Sequence, residues 1–168
     1  MRWFLLALVL LVCLLVAMVL AGAMLPVKHQ VQGVATVHQN PEFVWNLVAD
    51  AEKQPKWRPK VVRVERLPDR DGHPVWREYY KNGQRLAFET IASDPPKRLV
   101  RKIVDESAFG GQWEIALLPT AEGTEVRVTE RGEVYNPVFR FVSHFLIGQE
   151  KTIQEYLADM KNVSDARH

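Results

Sequence analysis

Residues 136–163, NPVFRFVSHFLIGQEKTIQEYLADMKNV, constrain the rest of the chain most strongly. Phe139, Val142, Leu146, Ile153, Tyr156 or Leu157, Met160 and Val163 recur at helical spacings, which makes one apolar stripe on an amphipathic helix. Asn136 suits the N-cap and Pro137 the first helical position. Unbroken, this helix would run about 42 Å at ~1.5 Å per residue. Gly148 interrupts it at a cost of about 1 kcal/mol against alanine. The first part, with Phe139, Val142 and Leu146, is expected to border an opening, and the second, with Ile153, Leu157 and Met160, to close a core. A stripe this long needs a broad partner, and the preceding residues read as sheet.

His29 to His38 alternates, with Val31, Gly33, Ala35 and Val37 on one face, as a half-buried strand does. Asn40-Pro41-Glu42 then supplies a cap, a first-turn proline and a first-turn acid for a short helix that turns Phe43, Val44, Leu47 and Val48 inward. Polar chain continues through Trp57 to Pro59. Six more strand signals follow in series, beginning near Val61, Val75, Gln84, Arg98, Gln112 and Glu125. Asn82-Gly83 is the strongest hairpin signal among the turns between them. Every connection is short, so the sheet is expected to be an antiparallel meander. The expected class is α+β: a seven-stranded curved antiparallel sheet wrapped around the long C-terminal helix, with the first short helices plugging one end.

From Trp3 to Leu25 the chain carries no charge over 23 residues. As a helix this spans roughly 35 Å, enough for a hydrocarbon core of about 30 Å. A cleaved signal peptide competes, because Ala21-Gly22-Ala23 fits a small-residue cleavage site. The length of the run favours a retained transmembrane helix. The expected division is 1–28 as anchor and 29–168 as one ligand-binding domain. With Arg2 and the amino terminus inside, that domain lies outside the cytoplasm, although Lys28 on the far side weakens the asymmetry. Beyond the anchor the charges balance, and no nucleic-acid footprint is present. Cys13 is the single cysteine and lies in the apolar run, so the domain has no disulfide framework.

Several short motifs follow in order: Asn40-Pro41-Glu42-Phe43-Val44-Trp45 after the opening strand, Lys56-Trp57-Arg58-Pro59, Phe109-Gly110-Gly111-Gln112-Trp113, Gly123-Thr124 leading into Val128-Thr129-Glu130-Arg131-Gly132, and the closing Tyr156-Leu157-Ala158-Asp159-Met160-Lys161. Together they resemble the START-like or Bet v 1-like (SRPBCC) superfamily, in particular its polyketide cyclase/dehydrase and lipid transport branch. The resemblance implies a helix-grip fold with an internal cavity for apolar ligands. It does not imply one reaction, since fold is shared more widely than function.

Alternation selects Trp57, Trp76, Tyr80, Phe88, Trp113, Ile115, Val128, Glu130, Phe139, Val142 and Leu146 as candidates to line that cavity, with ordinary core packing as the competing reading. The third strand is ambiguous, because Trp76, Glu78 and Tyr80 share one side and Val75, Arg77 and Tyr79 the other. Glu130 falls in phase with Val126 and Val128, so a carboxylate is expected to point inward. There it would anchor a ligand, act as an acid or base, or pair with an inward Arg77 or Arg101. Tyr80 and His144 complete the catalytic candidates. No metal-ligand spacing, phosphate loop or nucleophile elbow is present, and no cofactor is implied. Two basic clusters, Lys53 to Arg66 and Lys97 to Lys102, suit either a solvated face or anionic head groups beside a membrane. The expected function is a membrane-anchored domain binding a lipid or other hydrophobic small molecule. The alternatives are a cyclase, dehydratase or isomerase on an apolar substrate, and an interaction domain with a filled core.

Overall fold

A computed structural model describes residues 2–148 and 150–166, without the side chains of residues 146 and 147. Helix α1 (Arg2–Met24) leads into strand β1 (Lys28–Val37). Helix α2 (Pro41–Ala49) follows, then a 3-10 turn (Ala51–Lys53) and the short helix α3 (Gln54–Trp57). Strands β2 (Val61–Arg70), β3 (His73–Tyr80), β4 (Arg85–Asp94), β5 (Arg98–Val104), β6 (Phe109–Thr120) and β7 (Gly123–Val134) come next. Helix α4 (Pro137–Val142), a π-helical turn (Ser143–Ile147) and helix α5 (Lys151–Asp165) close the chain.

The caps act as the sequence dictates. The Asn40 side chain accepts the Phe43 N–H at 2.8 Å, and Asn136 accepts from Val138 and Phe139, so each helix start satisfies free backbone donors. The seven strands form one antiparallel sheet in the order β1-β7-β6-β5-β4-β3-β2. Only β1 pairs out of sequence, with β7, as a curved meander closed back on its first strand requires.

The core lies where α2 and α5 cover one end of the concave face. Val37, Val44, Val48, Val126, Val128, Ile153 and Met160 are at most 1 % exposed there. Gly33 admits α5 closely: a Cβ at this position would overlap Ile153 and press on Leu157. A smaller cluster of Val75, Ala87 and Val104 sits on the opposite face.

The terminal run departs from a single helix. Gly148 takes φ +80°, a conformation that L side chains rarely adopt, and the turn before it closes with its N–H donating to Ser143 O at 3.2 Å. The division of labour follows the break. Helix α5 buries Ile153, Tyr156, Leu157 and Met160, while α4 buries no residue in the core and packs instead against the end of α1. Pro137 abuts Gly22, where a Cβ would collide with its carbonyl, and Arg140 Nη1 donates to Leu25 O at 2.8 Å.

Candidate functional site

Between the concave face and α5 lies a cavity of about 330 Å³. Its apolar wall is Leu86, Phe88, Leu99, Ile103, Trp113 and Ile115. The pairings Phe88↔Ile103, Arg101↔Trp113 and Leu99↔Ile115 put these side chains on one face of neighbouring strands. The rim carries Gln84, Phe109, Ser143, Gly148 and Thr152. The β3–β4 and β5–β6 hairpin tips, the start of β1 and the end of β7 all lie at this end of the sheet. The exit of α1 therefore lies at the rim end too.

Two polar groups interrupt the apolar lining. On the β1–β7 side, His29 Nε2 stands 3.4 Å from Glu130 Oε1. Burial pushes the Glu130 carboxyl above the ordinary carboxylate range, and His29 opposes this only in part. A carboxyl whose folded pKa is raised lends stability below its unfolded pKa, and that stability is lost as pH rises through the folded value. Glu130→Gln is therefore expected to melt higher than the parent near neutral pH, with the gap closing toward about pH 4, where both side chains are neutral. Paired thermal melts across that range check it. A gap independent of pH would show that Glu130 is solvated. Asp159, also raised by burial, is common to both proteins and cancels.

The second group is denser. Glu78 is 3 % exposed and accepts from Arg58 Nη1 at 2.9 Å and from the Tyr80 hydroxyl at 2.5 Å, while Arg58 also donates to Gln54 Oε1. Burial works against the Arg58 charge, but Glu78, aided by Tyr80 and Tyr156, holds its pKa above that of a free guanidinium. Burial first, and then Glu78, raises the Tyr80 phenol well above its ordinary value. Arg101, 8 % exposed, donates through Nη2 to Val48 O at 3.0 Å and Ala49 O at 3.2 Å, and burial lowers its pKa. Tyr156 stacks edge-on against Trp57 and Trp113 at 5.1 Å and 5.5 Å, and burial pushes its hydroxyl up to about 12.

Of the residues singled out by alternation, Tyr80, Phe88, Trp113, Ile115 and Glu130 line the cavity. Others do not. Trp57, at the end of α3, packs edge-on against Tyr156 of α5, and Val128 is sealed in the same core cluster. Trp76 shares the inward side of β3 but lies beyond the cavity, under the Arg66 guanidinium at 4.8 Å. Phe139 is 51 % exposed and Val142 lies off the wall, because the break at Gly148 turns α4 toward α1 rather than over the sheet. His144 is exposed against Phe145 and joins neither polar group. The side chain of Leu146 lies outside the described residues. Glu130 pairs with neither Arg77, which is on the outer face, nor Arg101.

Alternation did not select His29, Gln54, Arg58 or Glu78 for the cavity, while Arg101 was named only as an inward partner for Glu130 and Tyr156 only as part of the helix stripe. His29 is in phase with Val31 and Gly33, a usable signal. Glu78 was legible only once Tyr80 was assigned inward. Arg58 sat inside a run of surface bases, and nothing in spacing distinguishes the member that folds in.

The sequence model of the family described as polyketide cyclase/dehydrase and lipid transport matches residues 28–165. No curated protein sequence matches the chain. Among solved structures, a START superfamily protein from Mycobacterium smegmatis superposes with TM-score 0.64 at 18% identity, over 83% of this chain and 99% of that one. The Zhui aromatase/cyclase from Streptomyces sp. R1128 gives 0.64 at 17% identity, over 83% and 95%. The di-domain aromatase/cyclase StfQ of the steffimycin biosynthetic pathway gives 0.64 at 13% identity over 84% of this chain, which spans only 52% of that protein. At these identities the likeness is one of fold.

Proposed function

Since the chain belongs to the polyketide cyclase/dehydrase and lipid transport family, we propose that it is a membrane-anchored domain, anchor 1–28 and binding domain 29–168, that holds a lipid or other apolar small molecule between its sheet and α5. The observation that carries this reading is the cavity of about 330 Å³ with its wall of Leu, Ile, Phe and Trp side chains. Its size falls at the lower end of the range for small-molecule sites, about 300–1,000 Å³. It weighs against a filled core. The aromatase/cyclases of similar fold raise the enzymatic alternative, but the cavity chemistry favours holding over turnover. Tyr80 is committed to Glu78 with its proton tightly held, and His144 lies outside. Among the described residues lining the cavity, Glu130 with His29 is the pair suited to proton transfer.

The contacts of α1 support a retained anchor over a cleaved signal. Gly22 lies against Pro137, and Leu25 receives the Arg140 guanidinium. Helix α1 is long and apolar enough to cross a membrane, with none of its most apolar stretch buried. Exposed Tyr135, Phe139 and Phe145 would lie at the interfacial level, the usual place for an aromatic belt. The ligand would then pass between bilayer and cavity beside the anchor, and the domain would lie outside the cytoplasm.

Native mass spectrometry of the full chain released from membranes should show one apolar small molecule bound per chain. Repeated recovery of bare protein would overturn the binding reading. Carbonate washing should leave the chain in the membrane fraction, and a phosphatase reporter fused after the last residue should be active outside the cytoplasm. Release into the supernatant would favour a cleaved leader, and a silent reporter would reverse the orientation.

A further inference from the structure

The polar group beside α3 has more positive charge and more donors than the protein itself satisfies. Arg58 is matched by Glu78, but among the described residues no carboxylate lies within ion-pair distance of Arg101. Of the groups buried on this wall, two guanidiniums face one carboxylate; the half-buried Asp159 and Glu155 also line the cavity, and Glu155 pairs with Lys60. The Nε of Arg101, the Nε2 of Gln54 and the hydroxyl of Tyr156 are buried with no hydrogen-bond partner, and all three residues line the cavity. Gln54 is fully buried and Tyr156 is 5 % exposed. An unpaired buried charge and orphaned donors are costly, and native structures resolve them with an acceptor.

We propose that this wall is a subsite for one carboxylate, so that the ligand is a single-chain or compact apolar carboxylic acid held head-first against Arg101. This rests on the binding reading above and narrows it. The one buried charge without a buried carboxylate beside it fits a monoanion, and with Nη2 held by Val48 O and Ala49 O, the free Nε–H of Arg101 would donate to one carboxylate oxygen. A phosphate monoester brings roughly −1.5 to −2 charges, more than the wall balances. Gln54 and Tyr156 would complete the acceptor's shell. The apolar wall of Phe88, Leu99, Trp113 and Ile115 would take the hydrocarbon.

The test compares dodecanoate, dodecanol and dodecyl phosphate on the full chain in phosphatidylcholine nanodiscs, with empty discs subtracted. Dodecanoate should bind at least about tenfold more tightly than dodecanol, the effect of a charge-assisted hydrogen bond. Arg101→Met should abolish that ratio, and Tyr156→Phe should lower it about threefold. Equal binding of acid and alcohol to the parent protein would overturn the proposal, as would preference for dodecyl phosphate. Binding of no alkyl chain would sink the apolar-ligand reading itself, a separate failure. Should Arg101→Met not fold, the parent ratio and Tyr156→Phe decide.

Discussion

Replacing Glu78 by alanine is expected to destabilise the domain by about 3–5 kcal/mol, the largest effect of any single polar substitution here. The side chain is nearly inaccessible and receives both the Arg58 guanidinium and the Tyr80 hydroxyl. Its removal leaves two positive charges, Arg58 and Arg101, on one wall without a buried carboxylate beside them. Glu78→Gln should recover part of the loss by keeping an acceptor for Tyr80, without restoring the charge balance. Asp69→Asn, which breaks the exposed contact with Arg66, should cost no more than about 0.5 kcal/mol. Urea unfolding of the three variants checks this. If Glu78→Ala and Asp69→Asn cost the same, the Glu78 wall is hydrated and the charge argument fails.

Ile153→Ala is expected to cost about 3 kcal/mol, within the 2–5 kcal/mol typical of a buried large-to-small change. Ile153 is 0 % exposed, at the point where α5 presses on β1. A loss of that size lowers the melting temperature by roughly 10 °C in a domain of this length. Gly33→Val should be destabilising for the opposite reason, overpacking against Ile153 and Leu157. The two changes should compensate in combination, so that the double variant is more stable than the sum of its parts predicts. Phe139→Ala on α4 should change stability by less than about 0.5 kcal/mol. A comparable cost at Phe139 and Ile153 would mean that α4 and α5 close the core together.

The architecture was legible because it rests on short-range signals that agree with one another. Asn40-Pro41 and Asn136-Pro137 mark helix starts, Asn82-Gly83 a hairpin, and the period of two persists through β6 and β7. Periodicity reports which face a residue takes, and so it placed Phe88, Trp113, Ile115 and Glu130 on the inward side. It does not report how far along a strand the covering helix reaches. Trp76 and Val128 were for that reason indistinguishable from the residues that line the cavity, though one lies beyond it and the other is sealed in the core. The polar wall was hidden for another reason. Arg58 and Gln54 come from a segment without period, and their burial depends on β3 and β5 arriving beside them from distant parts of the chain. Gly148 could be read as an interruption. That it redirects α4 onto the end of α1 depends on contacts between residues more than a hundred positions apart.

The break at Gly148 also sets a hierarchy of exchange. Amide protons of α5 are locked by the same core that holds the sheet, and they should exchange only through global unfolding. Helix α4 has no residue in that core and is tied down by the Asn136 cap and by its seat on α1. Its amides should exchange through a smaller, independent opening, whose free energy depends on the packing of α4 against α1 rather than on the sheet. Ser143, which follows α4 on the cavity rim, then lies beside a cooperative unit separate from the one that forms the cavity floor.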